Sequence, residues 1–323
     1  MTHERRSGYK GNGGPPGILS RGMFAGRTRR TDWSLLLILA LIWGSSFILM
    51  KRGLFHEGRP VLSGMQLASA RLLIAWLALL PLVLKHYDLL LKHWRPLLGT
   101  GVLGNGIPAF LYALAQTRIE SSLSGMLNSL TPLFTLLVGV LFFASRVRMA
   151  QVGGVLLGLI GAVGLVLTDP ATGAPVWSPF ALLPVLGTLC YGFSANIVKH
   201  HLYMLPASAT AALALTFVGP VGALGCWYTG VGETLSNDPD AWGAMGYVIL
   251  LAVLSSALSL VLWNILLKRT SAIWASSVTY LMPLVAITWG LLDGEPMAWK
   301  QFAMIGLILG GVYLVTAARD AHG

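Results

Sequence analysis

This sequence predicts an all-α membrane protein: ten transmembrane helices arranged as two inverted five-helix repeats around a central cavity. Three observations predict it. The 323-residue chain is 55% hydrophobic and only 11% charged, whereas a soluble domain carries about 25% charged residues. Apolar stretches of spanning length, roughly 20 residues each, follow one another from Trp33 to Ala318. The second half of the chain also repeats the first.

Residues 1–31 stand apart. Seven Lys and Arg side chains there are interleaved with Gly11, Gly13, Gly14, Pro15 and Pro16. Such a segment buries too little apolar surface to fold, and reads as a disordered basic cytoplasmic tail able to touch anionic lipid. It is not a signal peptide, because the apolar run after it is span-length and lacks a small-residue cleavage pattern. The first repeat occupies 32–170, with helices over 33–52, 62–84, 95–116, 121–143 and 149–168. The second occupies 171–318, with helices over 178–199, 206–229, 242–267, 272–292 and 298–318. Residues 319–323 form a cytoplasmic C-terminal tail. Most connections are short, so consecutive helices run antiparallel; Gly230–Ala241 is the longest loop.

The net charge of +10 would point to nucleic acid in a soluble protein. Here the cations sit in tails and loops, where they set orientation instead. Of the 22 Lys and Arg, Arg71 lies within a span. Lys51, Arg52, Arg59, Arg118 and Lys300 fall on one side of the membrane, and the other sixteen fall on the side of the N-terminal tail. That bias puts both termini in the cytoplasm and implies a cell (inner) membrane protein. Cys190 and Cys226 lie inside apolar segments, without metal-ligand or disulfide-framework spacing.

The repeat is specific in its order. Trp43-Gly44-Ser45-Ser46 and Lys51 match Tyr191-Gly192-Phe193-Ser194 and Lys199 at an offset of 148. Tyr112, Arg118, Pro132 and Gly139 match Trp263, Arg269, Pro283 and Gly290 at 151, and Gln151 and Gly161 match Gln301 and Gly311 at 150. Five helices per half is an odd number, so the second half enters from the opposite side. Inverted repeats mark secondary transporters, with the substrate near the midplane between the halves.

Three motifs add a family likeness: Leu41-Ile42-Trp43-Gly44-Ser45-Ser46-Phe47, Leu127-Asn128-Ser129-Leu130-Thr131-Pro132-Leu133-Phe134, and Gly294-Glu295-Pro296 followed by Gln301 and Gly310-Gly311. With them the chain resembles the EamA-type transporters of the drug/metabolite transporter (DMT) superfamily over about residues 33–318. The resemblance implies a ten-helix fold, a cavity lined chiefly by helices 1, 3, 4, 6, 8 and 9, and export of metabolites such as amino acids. Where it implies a Glu between helices 4 and 5, this chain has Ala144-Ser145-Arg146, so Glu295 lacks a matching carboxylate.

Polar groups inside a membrane are costly and each needs a partner, which makes them the site candidates. For substrate binding these are Trp43 and Ser45 on helix 1, Asn105 and Tyr112 on helix 3, Asn128 on helix 4, and Tyr191 and Asn196 on helix 6. Ser259, Trp263 and Asn264 on helix 8 and Tyr280 on helix 9 complete the set. Together they make a hydrogen-bonding pocket with aromatic walls, suited to a small amphipathic solute. Pro132 and Pro283 each remove a backbone donor at equivalent depths, as gating kinks require. Arg71, the one formal charge well inside a span, reads as a structural cation holding neighbouring groups, and Lys51 and Lys199 as snorkelling helix-end residues.

No catalytic constellation, metal set, cofactor fingerprint or Walker lysine motif is present. The expected function is therefore a secondary transporter, not an enzyme: it exports an amino acid or related solute by alternating access, with no cofactor. Its partners are the solute and the lipid bilayer, with protons as the candidate coupling ion and no nucleic acid. The alternatives are an uncoupled facilitator or channel, or a carrier of nucleotide sugars, drugs or lipid-linked sugars.

Overall fold

The computed structural model describes residues 30–143, 149–174, 178–269 and 278–320, without the side chains of 267, 268, 280 and 315–320. What the sequence leads one to expect of residues 1–29, 144–148, 175–177, 270–277 (the start of the helix expected over 272–292) and 321–323, and of the Tyr280 side chain, lies outside the described residues.

Among the described residues ten longer helical segments follow in order, with a short helix at Tyr87–Lys92 between the second and third. They are α1 Arg30–Leu54, α2 Gly64–Lys85, α3 Trp94–Ala115, α4 Ser121–Phe142 and α5 Met149–Val166 in the first half. The second half has α6 Pro179–His201, α7 Ala207–Tyr228, α8 Ala241–Leu266, α9 Val278–Leu292 and α10 Trp299–Asp320. Among the described residues, α1 to α8 are long and apolar enough to cross a membrane, and Leu281–Leu292 and Trp299–Leu314 are shorter apolar stretches.

Local chemistry accounts for the boundaries. Asp32 stands in the first turn of α1 and Lys51 and Arg52 in its last, each charge opposing the helix dipole at its end. Ser63 caps α2: its Oγ accepts from Gln66 N at 3.2 Å while Gln66 Oε1 accepts from Ser63 N at 2.9 Å, a reciprocal capping box. In α4 the α-helical pattern is interrupted at Ser129–Leu130, just before Thr131-Pro132, where proline cannot donate to the preceding turn. Pro283 sits inside α9.

Two sequence expectations need correction. The helix begins at Arg30, inside the segment read as tail. Gly230–Ala241 is not plain loop: Val231–Asn237 forms a short helix, started by Gly230 at φ 68°.

The packing respects the repeat. α1 packs on α9 and α6 on α4, α8 packs on α1 and α3 on α6, and α2 packs on α7 and α5 on α10. Each of these pairs maps onto itself or another pair when the halves are exchanged. Two glycines show the match at atomic scale. A Cβ on Gly44 would lie 2.5 Å from Val285 Cβ, and one on Gly192 would lie 2.9 Å from the Phe134 backbone. Gly44 and Gly192 are repeat partners, and so are Phe134 and Val285 at the offset of 151. Small residues let membrane helices approach this closely. Large apolar side chains such as Leu84, Leu141, Leu224 and Leu292 are exposed on the outside of the bundle, where only lipid suits them.

Candidate functional site

The interior carries one connected set of aromatic and amide groups. Trp43 of α1 donates from Nε1 to the Ser255 carbonyl at 3.2 Å and stacks obliquely on Trp263, ring centroids 5.5 Å apart. Tyr112 of α3 lies 6.0 Å from Phe47 and stacks on Tyr191 at 6.0 Å. Its hydroxyl donates to Asn128 Oδ1 at 2.7 Å. Arg71 reaches in from α2, donating from Nε to Ser256 Oγ at 2.9 Å. Trp43, Arg71, Asn105, Tyr191, Trp263 and Asn264 are each half-buried.

Not every candidate joins this set in the same way. Asn105 makes no hydrogen bond among the described residues and remains open. Ser45 Oγ accepts from Trp289 Nε1 at 2.8 Å, which fastens α1 to α9. Three others spend their hydrogen bonds on backbone. Asn196 donates to the Thr135 and Gly192 carbonyls at 2.9 and 2.8 Å, Ser259 to Leu254 at 2.7 Å, and Asn264 to Leu260 at 2.6 Å. Such bonds are helix-packing and helix-mending contacts.

The backbone carries a feature without a local sequence signal. α3 winds as a π-helix over Val102–Gly106 and α8 over Leu251–Leu258. Shifted by the repeat offset of 151, the first segment falls inside the second. π-turns widen a helix at functional sites, and these two carry Asn105 and the Ser255–Ser256 pair.

A second polar cluster closes one end of the bundle. Lys51 Nζ, near the end of α1, lies 2.8 Å from Asp293 Oδ2, 2.9 Å from Glu295 Oε1 and 3.5 Å from Glu120 Oε2. Arg52 also pairs with Asp293. Glu295 is the hub. Gly294 at φ 74° ends α9 and turns the chain, so that Glu295 caps α4 from the other half. Its Oε1 accepts from Ser121 N at 3.0 Å and Ser121 Oγ at 2.6 Å, and its Oε2 from Ser122 N at 2.9 Å. Burial works to raise the Glu295 carboxyl, but the donors from Ser121, Lys51 and Ser122 prevail and hold it down to about 2. Glu120 is pushed the other way: burial, then the neighbouring Glu295 charge, raise its carboxyl above the ordinary value. A cavity of about 660 Å³ opens beside the cluster, lined by Lys51, Arg52, Gln116, Arg118, Glu120 and Asp293. Gln116 is buried there with neither amide atom hydrogen-bonded. Lys51 is therefore an ion-pair centre and not a snorkelling residue.

Further ion pairs join the halves. At the same end, Arg59 grips Asp238 and Asp240 at 2.6 Å each, which holds Asp238 down to about 2. At the opposite end, Arg269 donates to Asp32 and to Thr31, both at 2.8 Å. Among the described residues no group of His, Cys, Asp and Glu has the geometry to hold a metal ion.

Two tandem apolar bundles, a polar aromatic interior and an ion-paired end make a multi-pass membrane transport protein. The chain belongs to the EamA-like transporter family, whose pattern matches it twice, over residues 33–167 and 179–317. Among similar proteins is the "Uncharacterized inner membrane transporter YedA" of Escherichia coli (strain K12), 28% identical over 88% of this chain and 90% of its own. The "Probable amino-acid metabolite efflux pump" of Salmonella typhimurium (strain LT2) is 24% identical over 88% of this chain and 94% of its own. A solved crystal structure matches with TM-score 0.59 at 18% identity, covering 92% of this chain and 100% of that one; at that identity the likeness speaks for the fold alone.

Proposed function

We propose that this protein is a secondary transporter of the inner membrane that exports an amino acid or related amphipathic solute by alternating access. Its ten helices form two inverted repeats, 32–170 and 171–318, with both termini in the cytoplasm. Cargo sits between α1, α3, α4, α6 and α8, where Trp43, Tyr112, Asn128, Tyr191 and Trp263 surround it.

The observation that carries this reading is the paired π-helical segments at repeat-equivalent positions. Each opens its helix toward an interior with reachable polar groups, as a carrier with two interchangeable halves requires. The ion-paired Lys51 end supports alternation as well, because it fastens α1, α4 and α9 together on what is then the outer side. Cargo leaves outward only when that cluster parts. Pro132 in α4 and Pro283 in α9, each without a backbone donor, supply the kinks for that parting. The name of the Salmonella relative favours amino acids as cargo.

Counterflow in proteoliposomes tests the reading, with a panel of labelled amino acids and with and without a pH gradient. Preloaded unlabelled cargo should drive transient uptake of its labelled form. Asn128→Ala strands the Tyr112 hydroxyl and removes an amide from the pocket, and should weaken apparent affinity about tenfold at unchanged membrane abundance. A conductance that shows no counterflow would favour a channel instead.

A further inference from the structure

Arg71 is a cation inside a membrane span with most of its donors unemployed. A guanidinium carries five N–H groups in a fixed plane. Among the described residues only Nε is engaged, by Ser256 Oγ at 2.9 Å. Among the described residues no carboxylate pairs with Arg71, and its terminal nitrogens have no hydrogen-bond partner. A purely structural arginine would be expected to saturate its fork on carbonyls or an acid, because an uncompensated charge in a low-dielectric interior is costly. The four ion-paired sites elsewhere in this chain obey that rule: Lys51, Arg52, Arg59 and Arg269 all have carboxylates.

The contact with Ser256 also has a directional effect. It holds the guanidinium by its Nε edge and leaves the outer fork without a partner among the described residues. Ser256 lies in the π-helical segment of α8. Its repeat counterpart in α3, at the offset of 151, is the unbonded Asn105. The counterpart of Arg71 falls at about Pro220 in α7, so the second half supplies no cation there. One cation therefore stands on one side of a pocket that is otherwise pseudo-symmetric.

We propose that Arg71 is the anchor for a carboxylate on the cargo, so that the carried solute is a monocarboxylate of the amino-acid type. This rests on the transporter reading above and names the class of its substrate. The open fork matches the two oxygens of a carboxylate. A single cation balances a single charge, which excludes a diphosphate, whose further charges would stay unmatched. The aromatic faces of Tyr112, Tyr191, Trp43 and Trp263 receive the rest of the solute, either an apolar side chain or an ammonium held over a ring. Asn105 is left to orient the polar remainder.

Binding to purified protein in nanodiscs tests this without requiring transport. Intrinsic tryptophan fluorescence and calorimetry are read against L-amino acids, the carboxamide of each, and a phosphate monoester of matched size. Wild type should bind at least one acid about tenfold or more tighter than its carboxamide, and tighter than the phosphate ester. Arg71→Gln should abolish the preference for acid over carboxamide. Arg71→Lys keeps the charge without the fork and should retain part of the preference. Ser256→Ala leaves the charge but frees its plane, and covers the case in which Arg71→Gln does not fold; it should weaken acid binding and leave carboxamide binding unchanged. Equal binding of acid and carboxamide by wild type, a tighter phosphate ester, or an acid preference that survives Arg71→Gln would each overturn the proposal. Acids that bind as expected yet show no counterflow would sink the transporter reading and leave Arg71 in place. Counterflow of a neutral solute indifferent to Arg71 would do the reverse.

Discussion

The Lys51 end and the membrane interior both hold polar groups in an apolar protein, yet they are built on opposite principles. At the Lys51 end the charged groups are matched, Glu295 alone accepting from Lys51, Ser121 and Ser122, while the buried amide of Gln116 beside them has no partner among the described residues. In the interior, among the described residues, Arg71 uses one donor, Asn105 uses none, and the Tyr112 hydroxyl donates to Asn128. On the proposed function, the ion-paired charges hold helices together and the interior set receives the cargo. That contrast separates clamp from proposed site. It also explains why Asn196 and Asn264, whose amides are given to backbone, contribute to packing more than to the pocket.

The comparison is broken most severely at Glu295. Glu295→Gln keeps the shape but removes the charge and turns an amide donor toward Ser121 or Ser122. Lys51 would keep Asp293, but the buried cap of α4 would be lost. We expect a loss of about 3 kcal/mol, the scale for removing one partner of a buried pair, read as a lower unfolding midpoint in detergent. Arg71→Gln, by the same rule, should leave the midpoint almost unmoved, because it removes few contacts. A larger loss at Arg71 than at Glu295 would reverse the assignment of clamp and site.

A smaller effect sharpens the same contrast through pH. The folded Glu120 carboxyl is raised, so its protonated form favours the closed Lys51 end, and this contribution fades as pH climbs above the raised value. Glu295, held at about 2, contributes in the opposite sense: its stabilisation is present above the ordinary carboxylate value and is lost only as pH falls toward about 2. Acidification from neutral toward mildly acidic pH should therefore tighten the cluster through Glu120 without yet releasing Glu295. The charged groups around Glu120 are Lys51, Arg52, Glu57, Arg118, Asp293 and Glu295. Glu120→Gln should abolish the tightening and raise the midpoint by about 1–3 °C at neutral pH. A pH profile of unfolding that is unchanged in the variant would remove Glu120 from the account.

Much of this architecture was legible from residue order. Span-length apolar runs gave the helices because a bilayer asks only for length and apolarity. The shifted matches from Trp43 to Gly311 anticipated the exchange-symmetric packing, seen in Gly44 against Val285 and Gly192 against Phe134. Within the site, Tyr112 with Asn128 and Trp43 with Trp263 were all in the expected set, because aromatic and amide groups are conspicuous in an apolar background. The Lys51 cluster was not legible. Its contacts join residues 69 and 244 positions apart, and a cation at a helix end reads as snorkelling unless its partners are known. The Gly294-Glu295-Pro296 turn was the available signal, since it ends α9 with an acid beside Lys51. Ser255 and Ser256 were hidden for another reason: their role depends on a π-helical register that no local spacing announces.

The central claim is that cargo held in the interior leaves only when the Lys51 end parts. The direct test joins that end covalently, in a chain with Cys190→Ser and Cys226→Ser, carrying Arg52→Cys and Asp293→Cys. A cleavable bifunctional thiol reagent then links α1 to the turn after α9, and counterflow is measured before linking, after linking and after cleavage by reductant. The account predicts that transport stops when the link is complete and returns on reduction, with cargo binding from the opposite side retained throughout. Undiminished counterflow in a fully linked sample would contradict it.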